Sequence, residues 1–232
     1  MTSLPLTAAV VARGLAKRGP SGPVYGPVDL DVPAGGLTVL HGPSGSGRTC
    51  LLLTVAGRMK PKSGQLSVFG ATTPKAIFKI AAIGAVDDLD AVYDAARVTD
   101  LVTEKLRWDS PWFRFVRRRA QSVEEVCRPV FGPLPVPSPR AYVEDLHELD
   151  VALLRIALAN TRRPPLLVVG GVDQLSSVAD QRALLQRLVD LGRQQTVITA
   201  TGNPVDDDLG HRQVIDMPNL TQNNLVHDEG TN

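Results

Sequence analysis

The sequence predicts an α/β fold, in which helices cover both faces of a largely parallel sheet. Short apolar runs of strand length alternate with longer segments of helical periodicity, which is the pattern of strand–helix units. The run 166–169 is apolar without alternation, as in a strand that is covered on both faces. A glycine-rich loop at 42–49 joins a predicted strand to a predicted helix. These features favour an architecture organised around that loop.

The composition is that of an ordinary globular domain. The chain has 232 residues, of which 43% are hydrophobic and 21% charged, and this is enough for a sizeable core. Its net charge of +1 lacks the basic excess of nucleic-acid binders, so no nucleic-acid partner is expected. Two cysteines are too few for a disulfide framework and fit a cytosolic compartment. Cys50 is expected to be buried in a helix.

The first part of the chain predicts strands on both sides of the glycine-rich loop. The predicted strands are 8–12, 28–32, 37–40, 65–69 and 80–86. Turns rich in glycine and proline separate them at 18–23, 33–36 and 60–64. A helix that includes 51–56 follows the loop, so a strand–loop–helix unit is expected here.

The middle of the chain, about 88–149, predicts an inserted helical region. Helices are expected over 98–108 and 122–130, and the basic and aromatic stretch 112–119 lies between them. Prolines at 129, 133, 135, 137 and 139 predict a stiff linker. The core is then 1–87 together with 150–218, and the whole of 1–218 forms one domain.

The last part of the chain returns to alternating helices and strands. The predicted helices are 148–163 and 180–191, and the predicted strands are 166–169, 196–200 and 213–217. The polar segment 219–232 predicts a mobile tail.

The glycine-rich loop has the composition of a phosphate-binding loop. It consists of Gly42, Pro43, Ser44, Gly45, Ser46, Gly47, Arg48 and Thr49 and is followed by Cys50. Its glycines let successive backbone N–H groups point at an anion, and the helix that follows adds its positive end. The Thr49 hydroxyl is placed to coordinate the magnesium ion of a nucleotide. Arg48 stands where a lysine normally reaches the β and γ phosphates; it keeps the charge but not the compact ammonium.

With this loop, a second segment makes the chain resemble the ATP-binding subunit of ATP-binding-cassette transporters. The segment, which matches the family's signature loop, is Leu146, His147, Glu148, Leu149 and Asp150. A helix, two prolines and the strand 166–169 follow it without gaps. The resemblance implies a P-loop NTPase sheet with an inserted helical subdomain, and ATP and Mg²⁺ as cofactors. It also implies an integral membrane permease as partner, a homodimer or heterodimer with another ATP-binding subunit, and a cytoplasmic protein held peripherally at the inner face of the cell membrane.

The sequence departs from this family at the positions that act on the γ-phosphate. The aspartate that holds magnesium and the glutamate that activates water correspond to Gly170 and Gly171. Asp173 lies three residues further on, about 10 Å from the metal position on an extended strand, so it is a poor substitute for these carboxylates unless the backbone bulges. Asp87 replaces the family's loop glutamine and is a second candidate magnesium ligand, or part of a solvated acidic turn. Replacing Gly170 by aspartate and Gly171 by glutamate is expected to restore the position of the metal.

The segment 146–150 departs from the signature loop as well. Glu148 and Asp150 bring negative charge to the place where a phosphate of the other subunit docks, and Leu149 replaces a glycine. His147 is expected to be an exposed helix cap. The switch histidine is missing after 196–200, and only glycine and proline occur near Gly19, where the family has an aromatic residue that stacks on adenine.

These departures favour a nucleotide-binding subunit that hydrolyses ATP weakly or not at all. Loss of a general base alone removes about two to four orders of magnitude in rate. Two alternatives stay open: a catalytically active transporter ATPase, and a non-catalytic regulatory or scaffold protein on the same fold. The stretch 112–119 either docks on the membrane subunit or anionic lipid, or forms a solvated helix face whose aromatic side chains enter the core.

Overall fold

The computed structural model describes residues 8–20, 22–87, 89–110 and 120–217. The strands are β1 (Ala8–Gly19), β2 (Gly22–Pro33), β3 (Gly36–His41), β4 (Ser63–Val68), β5 (Ala81–Gly84), β6 (Leu166–Gly171), β7 (Thr196–Thr201) and β8 (Gln213–Asp216). The α-helices are α1 (Arg48–Val55), α2 (Pro74–Ile80), α3 (Val98–Asp109), α4 (Ala120–Phe131), α5 (Glu148–Ala159) and α6 (Val178–Gly192). The predicted α/β fold is therefore confirmed.

The central sheet is parallel, and its five strands have the order β5-β6-β7-β3-β8. Alternate residues of β6 face opposite sides: Leu167 and Val169 belong to one apolar layer, and Leu166 and Val168 belong to the other. Side chains of α3, α4, α5 and α6 complete the first layer. A strand buried on both faces needs no polar alternation, and this explains the continuous apolar run at 166–169.

A second sheet, antiparallel and three-stranded, covers much of the other face. Its order is β2-β1-β4, and β1 pairs with β2 through several register shifts. The sequence predicts these strands, but it predicts β1 and β2 too short and does not predict that they leave the central sheet. Side chains of this sheet pack with those of α1 in one apolar layer. This layer fixes α1, and with it the glycine-rich loop, between the two sheets.

The helical region shares its core with the rest of the chain. The predicted helices 98–108 and 122–130 are confirmed as α3 and α4, and both pack on α5. Pro129 lies inside α4 rather than in the predicted linker. Cys127 of α4 is buried, and burial raises the pKa of its thiol to about 12. The stretch 112–119 and the tail 219–232 lie outside the described residues, so the predictions made for them stay predictions.

The region between β4 and β5 differs most from the sequence prediction. A helix, α2, precedes β5, so the predicted strand 80–86 is reduced to four residues. Thr73 caps this helix by accepting a hydrogen bond from Ala76 N at 3.3 Å, and Pro74 occupies its first turn. The helix predicted over 148–163 ends earlier as well, at Ala159.

Among the helices that the structure describes, none combines the length and the apolar character that a membrane span requires.

Candidate functional site

The glycine-rich loop leaves β3 and enters α1 in a conformation that needs glycine at two positions. Gly45 and Gly47 have φ angles of 82° and 77°, in the region that other residues rarely adopt. A Cβ on Gly47 would lie 2.0 Å from the carbonyl oxygen of Val24 in β2. At Gly45 a Cβ would meet nothing within 4 Å. Gly47 therefore allows close packing of the loop on the antiparallel sheet, whereas Gly45 supplies only a turn.

Hydrogen bonds fix the loop and the helix that follows. Gly42 N donates to the Thr201 carbonyl at 3.2 Å, which ties the start of the loop to β7. The Tyr25 hydroxyl donates to Thr54 Oγ1 at 2.8 Å, and Thr54 Oγ1 donates to the Cys50 carbonyl at 2.8 Å. Tyr25 is fully buried, and burial raises the pKa of its hydroxyl. Cys50 itself is only half-buried, so the prediction of a buried thiol there is wrong.

Two polar side-chain atoms of the loop are buried without a hydrogen-bond partner among the described residues. They are Ser46 Oγ and Arg48 Nη1. Buried polar atoms are rarely left without partners, because desolvation then goes uncompensated. A hydroxyl and a guanidinium nitrogen both donate well to phosphate oxygens. The donors of this loop therefore fit a phosphate group.

Magnesium would find few protein ligands at this loop. Thr49 is exposed in the first turn of α1, where the sequence predicts a metal ligand. In the described part of the chain, no group of three or more His, Cys, Asp or Glu residues could hold a metal ion. Mg²⁺ commonly keeps several waters and binds phosphate oxygens together with one or two protein oxygens. The Thr49 hydroxyl fits such a site, although the family's carboxylates are missing.

Arg48 contacts an aspartate that the sequence places elsewhere. Arg48 Nη2 donates to Asp173 Oδ2 at 3.0 Å, and Gly202 N donates to the same oxygen at 2.9 Å. The chain turns after β6 in a short 3-10 helix, Val172–Gln174, and this turn brings the Asp173 carboxylate back to the loop. The sequence estimate for Asp173 assumes an extended chain, and the turn makes that assumption wrong. Sequence reasoning misses this pair because it joins residues 125 positions apart.

The end of β6, which carries the two glycines, has no room for a side chain at its first glycine. A Cβ on Gly170 would lie 1.8 Å from the Ala85 carbonyl oxygen and 2.8 Å from its carbon. A Cβ on Gly171 would come within 2.7 Å of Asp173 Oδ1, whereas the nearest backbone atom, the Ala200 carbonyl oxygen, would lie 3.8 Å away. The expectation that Gly170→Asp restores the position of the metal is therefore wrong, because the backbone after β5 fills that position.

Asp87, the second candidate metal ligand, is part of an ion-pair network with α5. Asp87 Oδ1 lies 3.1 Å from Arg155 Nη1, and Asp90 Oδ1 lies 2.6 Å from Arg155 Nη2. Asp90 also accepts hydrogen bonds from the backbone N–H groups of Ala85 and Val86, at 2.7 and 2.8 Å. The carboxylate of Asp87 thus has a cationic partner, and a role for it in binding magnesium stays a prediction.

The segment 146–150 is bound to its own chain at the start of α5. Glu148 accepts hydrogen bonds from Ser176 N at 3.0 Å and Ser176 Oγ at 2.9 Å, and these bonds lower the pKa of Glu148. Leu146 and Leu149 pack with the core, and burial raises the pKa of Asp150. His147 is exposed at the N-cap position of α5, as expected, but its side chain makes no capping hydrogen bond.

Comparison with solved structures supports the fold. The ATP-binding cassette MJ0796, in a dimeric post-hydrolysis state bound to ADP and Pi, has a TM-score of 0.70 at 18% identity, over 90% of this chain and 94% of that one. CbiO1 from Clostridium perfringens, part of the ABC transporter complex cbiONQ, has a TM-score of 0.71 at 17% identity, over 90% of this chain and 84% of that one.

Comparison of sequences identifies a family and several relatives. The family model described as ABC transporter matches residues 25–189. The Fe(3+) ions import ATP-binding protein FbpC of Vibrio cholerae is 46% identical over 61 residues, which are 26% of this chain and 17% of that protein. The sulfate/thiosulfate import ATP-binding protein CysA of Mycolicibacterium paratuberculosis is 38% identical over 80 residues, which are 34% of this chain and 22% of that protein. The matched stretches thus span about a fifth of these relatives' length.

Proposed function

The chain belongs to the ABC transporter family, and we propose that it acts as the nucleotide-binding subunit of a transporter complex. In this proposal the loop at 42–49 binds ATP or ADP with Mg²⁺, and hydrolysis of ATP is weak or absent. The observation that carries the proposal is a pair of buried donors in this loop, Ser46 Oγ and Arg48 Nη1, that have no hydrogen-bond partner in the described part of the chain. A phosphate group would satisfy both donors.

In this proposal each residue of the loop has a different role in binding the nucleotide. The turn at Gly45 and Gly47 directs backbone N–H groups at the phosphates, and α1 adds its positive end. Arg48 supplies the cation, and the Thr49 hydroxyl supplies a ligand for magnesium. Magnesium, when bound, neutralises part of the phosphate charge.

Weak hydrolysis follows from the end of β6. Gly170 and Gly171 provide neither a carboxylate for the metal nor a base for the attacking water. The Ala85 carbonyl lies where the first of these side chains would begin. Glu148 is held by Ser176, so its charge stays at the start of α5, where the family presents a loop to the phosphate of another subunit.

The proposed partners are a membrane permease and a second ATP-binding subunit. The names of the relatives support this part, because they describe import ATP-binding proteins and a component of a transporter complex. A competent second subunit would supply the hydrolysis that this chain lacks. The protein would then lie on the cytoplasmic side of the membrane, held there by the permease.

Calorimetry with Mg-ATP and Mg-ADP tests the central part of this proposal. The wild-type protein should bind nucleotide, and Arg48→Ala should weaken binding by at least about tenfold, because the cation is lost and Asp173 is left unpaired. Arg13→Ala is the matched control, since Arg13 forms an exposed ion pair with Asp31 at 2.7 Å outside the loop. Phosphate release should stay near background.

Two results would contradict this function. If neither nucleotide binds at millimolar concentration, the chain is a scaffold on this fold. If the wild-type protein releases phosphate at about 1 per second, an ordinary rate for an enzyme, and Arg48→Ala abolishes that release, the chain is a catalytically active transporter ATPase.

A further inference from the structure

The carboxylate of Asp173 makes the contacts that a phosphate oxygen would make. Its Oδ2 accepts from the Arg48 guanidinium at 3.0 Å and from the backbone N–H of Gly202 at 2.9 Å. Only 13% of the Arg48 side chain and 24% of the Asp173 side chain are exposed, so little water competes for these bonds. A cation and a backbone amide together are common donors to bound anions. The chain thus brings an anion of its own to its phosphate loop.

The two terminal nitrogens of the Arg48 guanidinium have different surroundings. Nη2 bonds to Asp173, whereas Nη1 is buried without a partner among the described residues. A Cβ on Gly202 would lie 3.0 Å from Asp173 Oδ2 and 3.4 Å from Arg48 Nη2. The ion pair therefore packs directly against Gly202.

We infer that Asp173 takes the place of the terminal phosphate of a triphosphate, so that the loop prefers a nucleoside diphosphate. This inference rests on the proposed function of nucleotide binding. The cation at the position of Arg48 normally reaches both the β and the γ phosphate. Here Nη1 and Ser46 Oγ are buried donors without a partner among the described residues, and Nη2 is already used. A diphosphate would satisfy these unpartnered donors and leave the Arg48–Asp173 pair intact.

A triphosphate meets a cost that a diphosphate avoids. If Asp173 stays in place, its negative charge faces the γ-phosphate at short range in a partly buried site, where charge repulsion is weakly screened. If Asp173 moves away, its carboxylate loses both the Arg48 and the Gly202 hydrogen bonds. Either event weakens the binding of ATP relative to ADP.

The competing role for Asp173 is that of a magnesium ligand, and it predicts the opposite result. A carboxylate that binds the metal would strengthen the binding of Mg-ATP, because opposite charges attract. The observed contacts favour the role of an internal anion, since Oδ2 is held by two donors of its own chain. The sign of the effect of removing the charge therefore distinguishes the two roles.

The test measures dissociation constants of ADP and ATP, with and without Mg²⁺, for the wild-type protein and Asp173→Asn. Asparagine keeps the size of the side chain and an oxygen for Gly202 but removes the charge. The wild-type protein should bind ADP at least about tenfold more tightly than ATP, and the variant should bind ATP about tenfold more tightly than the wild-type protein does. ADP binding should change little. Asp31→Asn, which removes the charge of an exposed arginine pair outside the loop, should change neither constant.

Each other result has a definite reading. If Asp173→Asn weakens Mg-ATP, the carboxylate serves the metal and the inference is wrong. An unchanged ratio of ATP to ADP affinity also overturns the inference, while the proposed nucleotide binding stands. If no protein binds either nucleotide, both fail. Asp173→Ser provides a second uncharged side chain should the asparagine variant not fold, and the same two constants decide.

Discussion

The carboxyl ends of β3 and β6 lie at the same edge of one parallel sheet, yet they differ in whether they can bind a ligand group. After β3 the backbone turns through Gly45 and Gly47, and two buried donors of this loop have no partner among the residues that the structure describes. After β6 a backbone carbonyl closes the position of Gly170. In the family the end of the first strand acts through the shape of its backbone, and this chain keeps the glycines that this shape requires. The second end works in the family through carboxylate side chains, and here both the side chains and the space for one of them are missing.

The absence of the two carboxylates is therefore part of a wider rearrangement of this edge of the sheet. The turn after β6 brings Asp173 to Arg48, and the segment after β5 crosses Gly170. Restoring one side chain would therefore not restore the site. Three sets of substitutions, taken in order of decreasing effect, test whether the two strand ends differ in this way.

The largest expected effect is that of Gly170→Ala. The new Cβ would lie 1.8 Å from the Ala85 carbonyl oxygen, so β5 or β6 must shift. We expect the free energy of unfolding to fall by about 3 kcal/mol, at the upper end of the overpacking range. Gly170→Asp should cost more, because it adds a charge. Chemical denaturation measures the free energy of unfolding of both variants.

The neighbouring glycine provides the matched control. Gly171 has ordinary φ and ψ angles of −63° and 126°, and the only close contact of its Cβ would be with a side-chain atom, Asp173 Oδ1 at 2.7 Å. Gly171→Ala should therefore change the free energy of unfolding by less than about 1 kcal/mol. Equal stability of the two alanine variants would mean that the end of β6 is open, and the contrast with β3 would be lost.

An intermediate effect is expected at Tyr25 of β2, whose hydroxyl forms a hydrogen bond with Thr54 in α1. Tyr25→Phe removes the buried hydrogen bond to Thr54 Oγ1, while Thr54 keeps its bond to the Cys50 carbonyl. The expected loss is about 1 kcal/mol of unfolding free energy. Tyr142→Phe is the control, because that hydroxyl accepts a hydrogen bond from Arg97 at the surface. A loss as large at Tyr142 would show that burial is not the cause.

The glycine-rich loop between β3 and α1 could be predicted from the sequence because its constraints are local. Glycines at fixed spacing, a preceding apolar strand and a following helix all lie within one short stretch. The cap of α2 is local as well, and Thr73 followed by Pro74 is a signal that could have predicted that helix. The central strands could be predicted for the same reason, since burial on both faces produces continuous apolar runs.

The rest depends on contacts between distant residues. The separation of β1, β2 and β4 into a sheet of their own follows from strand pairing, which local propensity does not determine. The closure of Gly170 comes from Ala85, and the partner of Arg48 is Asp173. No pattern within either segment predicts these contacts, because each depends on where the sheet places the other segment.

The smallest expected effects concern two carboxylates at the start of α5 whose pKa shifts have opposite signs. Two hydrogen bonds from Ser176 lower the pKa of Glu148 below 4.5, and the bond from the backbone N–H contributes more than the bond from the hydroxyl. Burial raises the pKa of Asp150 above 3.8, against an opposing effect of His147. Glu148 therefore contributes stability above pH 4.5 that is lost as the pH falls through its lower folded pKa. Ionised Asp150 lowers stability as the pH rises above 3.8 and through its higher folded pKa.

Glu148→Gln and Asp150→Asn should accordingly have opposite profiles of melting temperature against pH. Glu148→Gln should melt below the wild-type protein at neutral pH, and the difference should vanish as the pH falls below 4.5. Asp150→Asn should melt above the wild-type protein at neutral pH, because it removes a partly buried charge, and this difference should also vanish in acid. Glu125→Gln, at an exposed position of α4, is the control for charge alone. If Glu148→Gln follows the wild-type profile, the Ser176 bonds contribute nothing in solution. Glu148 would then be free to turn towards a partner subunit. The start of α5 would in that case resemble the end of β3, which leaves groups available for a ligand, rather than the end of β6, which the Ala85 carbonyl closes.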